Sequence, residues 1–150
     1  MSGELHAGGW QRLGSTLAIV GTFLAVGPLI GLVSFAAAIA GYGLVSSNPG
    51  DYAAAGAAML VYGLFFAHFM GAVPALVTGG AVAAVAALRR AAVPFWFGAA
   101  VGGAASAFAL SPDTIGRPSA DVASAVVWVI VVAGILAGAV CTKLTRRWQR

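Results

Sequence analysis

Apolar residues run through the chain in four long stretches, covering 13–45, 53–88, 94–110 and 122–142, with polar residues, glycine and proline gathered between them. Each stretch reads as one membrane-spanning helix. As a helix the first would be about 50 Å long, against a hydrocarbon core of about 30 Å. It is too short for two spans and a turn, so one tilted helix is expected, kinked at Gly27-Pro28. Ala38-Ile39-Ala40 resembles a signal-peptide cleavage site. The apolar run before it exceeds the roughly 7–15 residues of a signal core, so the first span is expected to stay uncleaved.

The second stretch is also longer than one crossing needs. Its opening residues, Ala53 to Ala58, are weakly hydrophobic and suit the interface, Pro74 is expected to bend it, and Arg89 and Arg90 end it. Span three begins with Phe95, Trp96 and Phe97 and continues mostly as Gly, Ala and Ser. Its few large apolar residues, each worth about −0.3 to −0.6 kcal/mol at the bilayer centre, would insert it weakly, so neighbouring helices should hold it. Span four is rich in Val and Ile and is the clearest of the set.

The connections carry turn chemistry. Residues 46–51 read Ser-Ser-Asn-Pro-Gly-Asp, a tight turn with Asp51 placed to cap the next helix and with Tyr42 and Tyr52 on either side as an outer aromatic belt. Pro112, Gly116, Pro118 and Asp121 mark a longer loop between spans three and four.

Composition agrees with a bilayer as solvent. Hydrophobic residues make up 61% of the 150 and charged residues 8%, against about 45–50% and about 25% in soluble domains. No soluble domain, repeat array or low-complexity linker interrupts the chain, which is expected to be a single membrane domain over 1–150. The charges then set its orientation. Arg12, Arg89, Arg90, Lys143, Arg146, Arg147 and Arg150, seven of the eight basic residues, fall on one side of a four-pass threading, and only Arg117 falls on the other. By the positive-inside rule both termini are cytoplasmic. The fold class is an all-α integral membrane protein, a four-transmembrane-helix bundle spanning a bacterial inner membrane. The formal net charge of +4 sits at span ends rather than on a soluble face, which argues against nucleic acid as a partner.

Few residues inside the spans carry chemistry. His68 is the one residue with an unperturbed pKa near neutrality that lies deep in a span. At helical spacing it shares a face with Gly71, Ala72, Ala75 and Gly79, so it is expected to point into the bundle. There it is either a neutral imidazole bonded to a carbonyl, Ser or Tyr, or a functional group. Pro28 and Pro74 interrupt two overlong stretches, as broken helices do at transporter sites, and equally suit ordinary kinks. Gly98, Gly102 and Ser106, with Gly134 and Gly138, have the spacing of close helix packing, either inside the bundle or between copies. Cys141 alone excludes an internal disulfide and reads as a small packing residue. With His6 in the N-terminal tail, no metal site is expected, and no cofactor is implied.

Glu4, Asp51, Asp113 and Asp121 all lie outside the expected hydrocarbon region, and neither a Ser-His-Asp set nor a GxxxxGK loop occurs. An enzyme is therefore not expected. The leading expectation is a non-enzymatic accessory or scaffold subunit of a larger membrane complex, or a homo-oligomer, in contact with the lipid bilayer. The alternative is a small dimeric transporter or channel with a pathway near His68 and the Pro28 and Pro74 kinks.

Overall fold

The computed structural model describes residues 3–44, 49–89, 91–109 and 120–149, with side chains from Leu13 onward, except those of Pro49 and Met70, and in the last long helix from Val127. The expected turn at 46–48 and the loop carrying Pro112, Gly116 and Pro118 lie outside the described residues, as do Arg90, Arg117 and Arg150. Of the described residues 95% are helical and none lies in a strand. In order, it forms α1 (Gly3–Gly43), α2 (Pro49–Arg89), α3 (Phe95–Ala109), α4 (Ala120–Leu144) and a closing 3-10 turn, Thr145–Trp148.

Among the described residues four segments are long and apolar enough to cross a membrane: Leu13–Gly43, Gly50–Phe69, Gly71–Arg89 and Val127–Trp148. Their distribution differs from the expected one. The 41-residue α2 runs through Pro74 and holds two span lengths, whereas α3 has 15 residues. At 1.5 Å per residue α3 is about 22 Å long, short of a hydrocarbon core of about 30 Å. Pro28 likewise lies inside one continuous α1. Pro49 opens α2, where its missing N–H and fixed φ suit the first turn, and this places Asp51 inside that turn rather than at the cap. The carboxylate still faces the positive end of the helix dipole.

The helices pair as two antiparallel hairpins. Along α2 a row of glycines faces α1. A Cβ at Gly56 would meet Ala36 O at 3.1 Å, one at Gly63 would meet Leu32 Cδ1 at 2.7 Å, one at Gly71 would meet Pro28 Cβ at 3.1 Å, and one at Gly79 would meet Phe23 Cβ at 3.0 Å. Small residues about every two turns let the backbones approach, which is what drives helix association where lipid is as apolar as a side chain. Tyr42 and Tyr52 close the far end of this hairpin edge to face, 5.3 Å between ring centres. The second hairpin, α3 with α4, packs against its near end.

The core sits where the hairpins meet. Ile19, Phe23, Ala75, Val82, Ala83, Ala86, Val93 and Cys141 form it, with Trp148 and Phe97 packed around it. Cys141 is fully buried, in the packing role its size suggested. Between Gly56 and Ala75, by contrast, no described side chain of α2 is buried. Among the described residues, this first half of α2 meets α1 along its glycine row, and its other side chains are exposed or half-buried.

Candidate functional site

His68 lies in that first half, and its position corrects the expectation. It is exposed, not turned into the bundle. The small-residue face that it shares with Ala75 and Gly79 is buried only from Ala75 onward, where the second hairpin joins. Farther out the seam with α1 follows Gly56, Gly63 and Gly71, and His68 is off that line. Large apolar residues flank it on the same helix: Val61, Leu64, Phe65, Phe66 and Phe69 are exposed, and the Phe65 and Phe69 rings lie 5.1 Å apart, tilted at 50°.

His68 Nδ1 lies 3.0 Å from the carbonyl of Leu64, one turn back on its own helix. A carbonyl only accepts, so Nδ1 carries the proton and donates it. In the neutral ring Nε2 is then an acceptor, on a side chain that is exposed. The expected bond to a carbonyl is thus made within α2 rather than across helices.

Pro28 and Pro74 are brought to one level. Pro28 is buried against Gly71, and Gly27 is opposite Ala75, whose Cβ would be 3.8 Å from a side chain at Gly27. The carbonyl of Pro74 accepts a 2.7 Å bond from Thr78 Oγ1. These two residues form part of the α1–α2 seam.

Gly98, Gly102, Ser106, Gly134 and Gly138 also meet, and they meet inside one chain. A Cβ at Gly98 would come within 2.6 Å of Gly138 O, and one at Gly134 within 2.6 Å of Gly102 O. One at Gly102 would overlap the Gly134 carbonyl, and Ser106 is buried against Gly134. Carbonyl oxygens therefore point at the glycine Cα hydrogens of the facing helix, the weak C–H···O contact that recurs at close helix crossings. Of the two roles open to these positions, packing within the bundle is the one they fill. Gly31, by contrast, has open space where its side chain would be.

A polar cluster at the end of α4 has no counterpart in the sequence reading. Gln149 reaches back to accept a 2.7 Å bond at Oε1 from the N–H of Val93, in the connection between α2 and α3. Its Nε2 donates to Thr145 Oγ1 at 3.0 Å and to Thr142 O at 3.4 Å. Thr145 Oγ1 donates in turn to Cys141 O at 2.9 Å, and Thr142 Oγ1 to Gly138 O at 2.7 Å. All three side chains are buried, and no buried side-chain polar atom among the described residues lacks a partner. The hint in the sequence was an amide beside Trp148, set between Arg147 and Arg150, and its partner lies 56 residues away. Among the described residues no group of three or more His, Cys, Asp or Glu side chains comes together. No protein-family model, no curated protein and no solved structure matches this chain.

Proposed function

We propose that this chain is a non-enzymatic, multi-pass protein of a bacterial inner membrane, with cytoplasmic termini, and that it works by assembling, as a homo-oligomer or as an accessory subunit of a larger membrane complex. The observation that supports this is the outward His68, halfway along α2 with its Nε2 unbonded amid exposed Phe65, Phe66 and Phe69. An acceptor facing lipid has no water to bond, and such residues are costly unless another protein surface or a wet cavity meets them. The first half of α2 is the face on which a second protein would supply the donor.

The packing glycines are occupied within the chain, so the assembling surface is this aromatic face rather than the α3–α4 seam. Light scattering on protein purified in mild detergent tests the reading. An oligomeric mass or a co-purifying partner is expected, weakened by Phe65→Ala together with His68→Ala. A stable, partner-free monomer overturns it.

A second reading rests on the same residue. A transporter or channel pathway would run between protomers, along His68, because Pro28 is buried and both helices run unbroken through their prolines. Transport unchanged by His68→Ala would end that reading and leave the first intact.

A further inference from the structure

At the opposite end of the molecule a cleft of about 370 Å³ opens between the start of α3 and the end of α4, lined by Phe95, Ala139, Val140, Lys143 and Arg146. Its volume falls in the range of small-molecule sites, about 300–1,000 Å³. Its chemistry is graded. Ala139 and Val140, a turn farther into the span, and the Phe95 ring make an apolar floor, and Lys143 and Arg146 stand at the mouth.

Among the described residues no carboxylate neutralises the cations at the mouth. Asp51 is the only carboxylate whose side chain is described, and it lies in the first turn of α2, the far end of that helix from Arg89. Among the described residues no ion pair engages Lys143 or Arg146. Arg147 is directed elsewhere, its guanidinium 4.2 Å over the Trp148 ring. The cleft also receives the N-terminus of α3. Phe95 opens that helix, and the first bond of the turn is that of the Phe97 N–H to Pro94 O at 3.1 Å. The amides of Phe95 and Trp96 come before it, at the positive end of the dipole, where anions are favoured.

We propose that this cleft binds an anionic phospholipid, its phosphate held by Lys143, Arg146 and the start of α3, and its acyl chains laid over Phe95, Ala139 and Val140. Two cations above an apolar floor at a membrane boundary match the charge and polarity of one such lipid, and basic pockets between spans are suited to these headgroups. A free phosphate would use the mouth and leave the floor empty. The proposal rests on the reading that the chain is embedded in a membrane with its basic end at the interface. It does not depend on how many copies assemble.

The test is lipid retention by the full chain in mild detergent, read by native mass spectrometry and by thermal stabilisation, with phosphatidylglycerol against phosphatidylcholine. Phosphatidylglycerol should bind and stabilise at lower concentration. Lys143→Gln with Arg146→Gln should weaken it about tenfold or more at unchanged helical content, and Arg89→Gln, outside the cleft, should leave it in place. Ala139→Phe, which fills the floor and removes no charge, should weaken it as well. Equal retention of both lipids overturns the proposal, as does a loss with Arg89→Gln equal to that of the double variant. Binding untouched by Ala139→Phe would make it surface attraction and overturn the cleft. Equal stabilisation by inorganic phosphate would make the ligand a free anion and overturn the lipid. Oligomeric mass measured on the same samples separates this outcome from that of the assembly reading.

Discussion

One methyl group at Gly102 would be driven into the carbonyl of Gly134, a backbone atom that cannot rotate away. Gly102→Ala must therefore push α3 off α4, and overpacking of this kind costs about 1–3 kcal/mol. Gly80 has open space where its side chain would go, so Gly80→Ala should be neutral or stabilising by up to about 1 kcal/mol through helix propensity alone. Unfolding midpoints of the two variants in mixed micelles check this. The midpoint should fall for position 102 and hold or rise for position 80, and equal shifts would mean that the α3–α4 crossing is looser than it stands here. His68 makes the complementary point at the same scale. Its neighbours one and two turns on were read correctly as small, but whether a small-residue face is buried depends on a second hairpin that joins only from Ala75 onward.

Gln149 ties three elements together, since it takes the Val93 N–H before α3 and bonds Thr142 on α4 and Thr145 in the closing turn. Gln149→Leu would leave that N–H buried without an acceptor, at a cost of about 1–3 kcal/mol. Hydrogen exchange should quicken at Val93 and in the first turn of α3, while the α1–α2 seam, which Gln149 does not touch, keeps its protection. Uniform loss of protection would show that the clamp governs the whole bundle instead. The helices themselves could be read from the chain because apolar length and charged ends are local properties. Single helices running on past Pro28 and Pro74 were legible too, and both stretches form them, with Gly71 seated against Pro28. The Gly56, Gly63, Gly71 and Gly79 row was also present, spaced seven or eight residues apart, and went unread among 21 glycines. Gln149 left no periodic signal, because its role arises from one contact across 56 residues.

At the scale of the whole molecule the two hairpins do not match in length. α1 and α2 have 41 residues each, α4 has 25 and α3 has 15. A tilt of about 40° would shorten the roughly 61 Å of α2 to about 47 Å, still beyond a core of about 30 Å. The same tilt would leave α3 shorter still, so no single inclination fits both hairpins to one bilayer. The shared core near Val82, Val93 and Cys141 joins the hairpins close to Arg89, Lys143 and Arg146. The excess length therefore falls at the Tyr42 and Tyr52 end. With the basic end in the cytoplasm, the first turns of α2 should rise out of the hydrocarbon on the outer side. Ala57→Cys, exposed there, should react with a membrane-impermeant maleimide added to intact spheroplasts, whereas Val77→Cys, 53% exposed but beside the core, should not. The native Cys141 is fully buried at the other end and need not be removed. Labelling of Ala57→Cys only after detergent extraction would mean that lipid or a partner covers the projecting turns. Labelling only from the cytoplasmic side would reverse the orientation that the basic residues imply.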